Sequence, residues 1–203
     1  MRLAEYAQSI ELEREQIYWL ATERDWVLPL PVDYPDGSNS VASAETVSVT
    51  LSREQTQILQ EEIAATYRVQ LEDVLLATLG QAFSKWTAKE SLLIDLEGNG
   101  RDVIFDDIDL SRTVGWFTNI YPVMLEIDEA KQSGVLFLYL GNYEQTVPES
   151  SLFTLSPKSN GLSRSLRGQR SHLIEINALI VDNQLKVDFI YSQNVHRRET
   201  VEI

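Results

Sequence analysis

Apolar residues recur along this chain in two periods that no single kind of secondary structure can satisfy. Between Leu71 and Trp86 they fall three and four apart, at Leu75, Leu79, Phe83 and Trp86 with Leu76 alongside, which predicts an amphipathic helix. Beyond Ser91 the spacing changes. Ser91–Leu96 and Val135–Leu140 are short continuous apolar runs and read as strands, the first covered on both faces. In Ile120–Ile127, Tyr121, Val123, Leu125 and Ile127 share one face. Leu173–Tyr191 alternates at Leu185, Val187, Phe189 and Tyr191 around Asp182-Asn183, which tolerate positive φ, so it reads as a hairpin. Helices early and strands late predict an α+β two-layer sandwich and not a regular βαβ array.

The N-terminal part is less regular. Glu11–Ala21 reads as a helix, with Leu12, Tyr18, Trp19 and Leu20 as anchors. Leu28–Glu45 holds three prolines, a glycine and several serines, the composition of an extended connector. Thr46–Leu51 alternates, with Val47, Val49 and Leu51 pointing one way, as a half-buried strand does. Ser52-Arg53-Glu54-Gln55 has the spacing of a capping box and opens a helix expected to reach Tyr67. Val195–Ile203 reads as the first turns of a helix that stops abruptly, and no internal repeat is visible.

Composition narrows the function. The chain has 203 residues and a net charge of −14, which argues against a nucleic-acid partner, since phosphate binding needs clustered Lys and Arg. The one basic cluster, Arg164, Arg167 and Arg170, lies in a Ser/Gly-rich stretch and reads as a solvated loop, with phosphate contact as the alternative. No apolar run is long enough to span a bilayer, and no membrane partner is expected. The N-terminal residues lack the apolar core of a secretion signal. There is no cysteine, which excludes disulfides and thiolate metal sites and fits a reducing, cytoplasmic location. With only His172 and His196 and no cysteine, no metal site is expected.

The chemistry concentrates between Leu92 and Val123. Glu97 ends an apolar strand, directly before Gly98-Asn99-Gly100-Arg101, and a glycine-aromatic turn, Thr113-Val114-Gly115-Trp116-Phe117-Thr118, follows. Glycines at a strand end let backbone approach a ligand closely, and a carboxylate there is a candidate proton acceptor. The alternative is a charged residue at a solvated turn. Arg101 is expected to form a structural ion pair with Asp95, or else to orient Glu97. Asp107 and Asp109 read as a solvated acidic turn. Ser111 and Thr113 lack a nearby histidine and are rejected as nucleophiles. Trp116 and Phe117 suit either the wall of a tunnel or the core. His172 and His196 read as polar surface or strand-end residues.

These stretches resemble a known family. EGNGR (Glu97–Arg101) and DLSRTVGWFTNIYPV (Asp109–Val123) are similar to the C-terminal half of condensation-superfamily domains in nonribosomal peptide synthetases, the epimerization branch above all, where the motifs read approximately EGHGR and DLSRTVGWFT. The resemblance extends to YWL at Tyr18–Leu20, LPVDYP at Leu30–Pro35, ASAETVSVTLS at Ala42–Ser52, DVLLATLGQAFSKWT at Asp73–Thr87 and LFLYLGNYEQ at Leu136–Gln145, and so covers nearly the whole chain. It implies one lobe of a chloramphenicol-acetyltransferase-like fold, in which two similar lobes form a V around a tunnel. It also implies a peptidyl carrier protein that delivers substrate on a phosphopantetheine arm, with no cofactor bound directly. It assigns proton transfer at the α-carbon of an aminoacyl or peptidyl thioester to Glu97. Asn99, Arg101, Thr113, Gly115, Trp116 and Tyr139 are then substrate-facing. The second catalytic group of the family, the histidine of an HHxxxDG motif, belongs to the first lobe.

Three departures stand out. Neither histidine of this chain lies in an HHxxxDG context, so the first lobe is absent. The histidine of the EGHGR-like motif is Asn99, which hydrogen-bonds but does not titrate. Near 131–135 the chain is shorter than the family, which inserts a helix and a glycine-containing loop there. Three readings follow: an enzyme lobe that works with a separate first lobe, a non-catalytic relic or interaction module that binds a carrier or self-associates, and a single-lobe acyltransferase using His172 or His196. A lobe built to pack on a partner exposes apolar surface and strand edges, so self-association of isolated chains is expected.

Overall fold

A computed structural model describes residues 2–20, 29–89, 91–101, 105, 108–109, 112–126, 134–143, 161 and 164–202. Two N-terminal helices, α1 (Arg2–Tyr6) and α2 (Ile10–Trp19), precede the connector. Then come β1 (Ala44–Thr50), α3 (Arg53–Gln57), a π-helical stretch (Ile58–Ile63), α4 (Ala64–Tyr67) and α5 (Leu71–Thr87). Five strands follow: β2 (Ser91–Gly98), β3 (Asn119–Glu126), β4 (Val135–Asn142), β5 (Ile174–Val181) and β6 (Gln184–Ser192). A last short helix, α6 (Arg198–Val201), ends the described chain.

The strands form one mixed sheet in the order β1-β6-β5-β4-β2-β3. β4 is parallel to both its neighbours, and the other pairs are antiparallel. The expected hairpin is β5–β6, closed by Asp182 and Asn183 at φ 52° and 58°, the two positive values a tight primed turn needs. Because β2 lies between β3 and β4, the end of β3 and the start of β4 fall at the same end of the sheet. Only about two strand spacings, roughly 10 Å, separate them, so a short link suffices to join them.

Alternation decides which side chains meet the helices. Leu92, Ile94 and Leu96 of β2, Val135 and Phe137 of β4, Ile174, Ile176, Ala178 and Ile180 of β5 and Leu185 of β6 share one core with Leu71, Leu79 and Phe83 of α5. Burying a side chain such as Ile94 or Phe137 contributes about 1.5–3 kcal/mol. α5 begins with Asp73 accepting from the backbone N–H of Gln70 at 2.8 Å and ends at Ala88 in the left-handed region, φ 54°. The Ser52–Gln55 capping box is present, as its spacing predicts. The result is a helix layer on one face of a sheet, the α+β two-layer arrangement expected.

Several expectations need correction. β2 is not covered on both faces. Leu92, Ile94 and Leu96 are buried, whereas Leu93, Asp95 and Glu97, on the other face, are half-buried. Val49, placed in the core by alternation, lies on an edge strand and is half exposed. Trp19 and Leu20 do not anchor α2; both are exposed. The connector does more than link. Leu30 and Ser43 are buried, and Asp33 and Tyr34 donate backbone hydrogen bonds to the Val195 carbonyl at 3.0 and 3.1 Å. Asp33 also accepts from the Arg197 backbone N–H at 2.7 Å, which holds its carboxyl below the usual range. Tyr18, Ala21, Asp107, Ser111, Ile127 and the region 131–133 fall outside what the structure describes at side-chain level.

Candidate active site

Glu97 stands at the C-terminal end of β2, opposite Ile120 of β3 and on the sheet face away from α5. It is half-buried, and its carboxylate makes no hydrogen bond or ion pair among the described residues. The turn that follows is tightly specified. The Asn99 side-chain oxygen accepts from the Arg101 backbone N–H at 2.9 Å, an Asx turn. Gly100 has φ 63°, and a Cβ there would fall 1.7 Å from the Phe117 carbonyl oxygen. A Cβ on Gly98 would fall 2.7 Å from the Asn119 side-chain oxygen. At Gly100, where the obstacle is backbone and φ is positive, only glycine admits such close approach.

The turn is thereby strapped to 115–117. The Arg101 guanidinium donates to the Gly115 carbonyl at 3.2 Å and lies 4.7 Å from the centre of the Phe117 ring, within cation–π range. This corrects the expected pairing. Arg101 bonds to neither Asp95 nor Glu97, because its side chain is drawn across to the second motif. Glu97, Asn99, Arg101 and Gly115 thus belong to one corner. Thr113 and Trp116 belong to the same strap and face outward, with Trp116 88 % exposed and Val114 fully so, so Trp116 is not a core residue. Tyr139 lies elsewhere: it packs against the core on the face of β4 that carries Phe137, the opposite sheet face from Glu97. Burial first, and the Glu72 charge second, push the Tyr139 hydroxyl up. Burial, with Asp73 adding to it, likewise raises Glu72.

The two histidines are not surface residues. His172 Nε2 is 2.9 Å from Asp95 Oδ2 and its side chain is 11 % exposed, so Asp95 pairs across β4 with an imidazole 77 residues away. His196 is buried with no hydrogen-bond partner on either nitrogen among the described residues. Sequence reading missed both, since the contact depends on β2 and β5 flanking β4; only the outward alternation of Asp95 offered a hint. The basic cluster divides as well. Arg170 is buried and bonds Asn39, Leu173, Ile190 and Glu175, and burial lowers its affinity for a proton while Glu175 opposes that. Arg164 reaches the same Glu175 at 3.2 Å but is largely exposed, as is Arg167. Among the described residues no group of three or more His, Asp or Glu side chains could hold a metal ion, and no helix is long and apolar enough to cross a membrane.

Residues 1–141 match the family model for the condensation domain. Over 99% of its length the chain is 34% identical to one of the linear gramicidin synthase proteins of Brevibacillus parabrevis, and over 98% it is 33% identical to another protein of the same synthase. It spans only 3% and 5% of those two proteins. The crystal structure of the epimerization domain from the third module of tyrocidine synthetase B superposes on 98% of this chain with a TM-score of 0.86 at 26% identity. The match covers 53% of that domain, about half. Fold and motifs therefore agree with a chloramphenicol-acetyltransferase-like lobe, and the chain belongs to the condensation-domain family.

Proposed function

We propose that this chain is the C-terminal lobe of an epimerization-type condensation domain, acting on aminoacyl or peptidyl thioesters that a peptidyl carrier protein presents on its phosphopantetheine arm. The observation that carries the reading is the superposition with the tyrocidine synthetase epimerization domain, of which this chain accounts for about half. Glu97 then supplies one proton-transfer group. It is a half-buried carboxylate without an ion-pair partner among the described residues, held at a strand end by a turn that only glycine can form. Removing the proton beside a thioester carbonyl makes an enolate, which needs a base near that carbon, a donor near the carbonyl oxygen and exclusion of water. Asn99, Arg101 and the 113–116 strap line the approach to Glu97, and Trp116 and Val114 provide apolar surface for a covering lobe. Inversion also requires a proton delivered to the opposite face of the carbon. In this reading that group comes from the first lobe of the fold, so these 203 residues by themselves are incomplete for turnover.

The internal shortening near 131–135 is part of the proposal. The alignment with the first of the two gramicidin synthase proteins runs over 246 positions, more than the 203 residues of this chain. The same-end geometry of β3 and β4 supports closure of the sheet without an insertion. The second reading is a non-catalytic module that binds a carrier or self-associates. Asn99 in place of a titrating histidine and the exposed Val114–Trp116 strap favour it. One experiment separates the two. An L-aminoacyl carrier is incubated with the chain, alone and with the complementary half of the tyrocidine synthetase epimerization domain, and the released amino acid is resolved on a chiral column. Formation of D-isomer only in the mixture supports the enzyme lobe. No D-isomer in either, with a stable chain–carrier complex, supports the module.

A further inference from the structure

On the sheet face opposite α5, three side chains outside the Glu97 corner form a continuous hydrogen-bonded chain. Ser171 Oγ lies 3.0 Å from His172 Nδ1, and His172 Nε2 lies 2.9 Å from Asp95 Oδ2. Ser171 is exposed, the imidazole is 11 % exposed and the Asp95 side chain 24 %. A carboxylate acceptor favours the tautomer with hydrogen on Nε2, which leaves the Nδ1 lone pair facing the serine hydroxyl. That is the relation of nucleophile, base and orienting acid found in acyl-transfer sites on unrelated folds.

The backbone carrying the pair is pinned. The Asn39 side-chain amide donates to the His172 carbonyl at 2.8 Å, the Leu173 N–H donates to the Gly134 carbonyl at 2.9 Å, and buried Arg170 donates to the Leu173 carbonyl at 3.2 Å. The backbone N–H groups of Ser171 and His172 donate no hydrogen bond among the described residues, so both are available to a developing oxyanion.

We propose that Ser171 is an acyl-accepting nucleophile, with His172 as its general base and Asp95 holding the imidazole. Its substrates are acyl thioesters and activated esters, a reach beyond the proton-transfer reading that uses none of its residues. Ser171 Oγ bonds to the acyl carbon as its proton passes to His172 Nδ1. The carbon–sulfur bond breaks, and the departing thiolate takes that proton. Water, deprotonated by the same imidazole, then releases the acid and restores the serine.

The test treats the purified chain with p-nitrophenyl acetate, quenches in acid and maps acetylated peptides by mass spectrometry. Acetyl on Ser171 is expected, falling at least about a hundredfold in His172→Gln, the low end of what general-base assistance supplies, and falling also in Asp95→Asn. Ser171→Ala, an exposed change that leaves the His172–Asp95 contact in place, removes that label without altering the fold by circular dichroism. Acetyl confined to lysines and the N-terminus, or Ser171 label unchanged in a folded His172→Gln variant, would overturn the assignment. Neither result bears on Glu97, because no α-proton exchange is read.

Discussion

His196 offers a sharp test of the packing. It is 1 % exposed, its ring stands edge-on to Trp86 at 6.0 Å between centroids, and neither nitrogen has a hydrogen-bond partner among the described residues. Burial holds its imidazole below the ordinary histidine range. The Asp33 charge opposes this, and the Arg170 charge adds to it. The unfolded chain binds a proton here near pH 6.5, while the folded chain does not until a lower pH. The stability contributed is therefore complete above about pH 6.5 and drains away as the pH falls towards the folded value, at up to about 1.4 kcal/mol per pH unit. His196→Phe keeps a ring against Trp86 and abolishes the titration. It also removes buried nitrogens whose unmet hydrogen bonding costs about 1–3 kcal/mol. Urea unfolding of both proteins between about pH 8 and pH 5 is the assay. The variant should match or exceed the wild type at high pH, and its advantage should widen below about pH 6.5. Parallel pH profiles would refute the reasoning, since they would mean that the imidazole protonates equally in both states.

Three further outcomes follow from the same contacts. Gly100→Ala forces a Cβ into the Phe117 carbonyl and should cost more than about 2 kcal/mol in chemical denaturation, with loss of the Arg101–Phe117 stacking seen by NMR. Arg170→Met leaves the Glu175 carboxylate and several acceptors without their buried donor and should cost about 3–5 kcal/mol; a change under about 1 kcal/mol would show that the network is replaceable. Light scattering should show concentration-dependent association that Trp116→Ser weakens, whereas a clean monomer at high concentration would contradict an exposed docking strap.

What could be read without coordinates was whatever depends on local period or turn chemistry. The stripe of Leu75, Leu79 and Phe83 is a helix because its spacing is independent of everything else in the chain. The Asp182-Asn183 hairpin and the Ser52 cap were legible for the same reason. The position of Glu97 at a strand end was legible because glycines on both sides of Asn99 punctuate the apolar run. Contacts set by strand order were not. Asp95 faces His172 because β5 and β2 flank β4, and no spacing along the chain encodes that order. Arg101 was expected to pair with Asp95 or orient Glu97 by charge, whereas the fold draws its guanidinium to the Gly115 carbonyl and the Phe117 ring. His196 looked like a polar strand end because it precedes Arg197-Arg198, yet the connector around Asp33 folds over it. Trp116 had a tunnel-wall reading and a core reading, and its 88 % exposure removes the second.

The central claim is that Glu97 handles the α-proton and that a second lobe completes the reaction. Its most direct test is deuterium incorporation at the α-carbon of a carrier-bound aminoacyl thioester in heavy water, followed by mass spectrometry in the presence of the complementary lobe. The account predicts incorporation with the wild-type chain and a loss of at least about a hundredfold with Glu97→Gln. Undiminished incorporation in that variant, or full exchange by the chain without any complementary lobe, would contradict it.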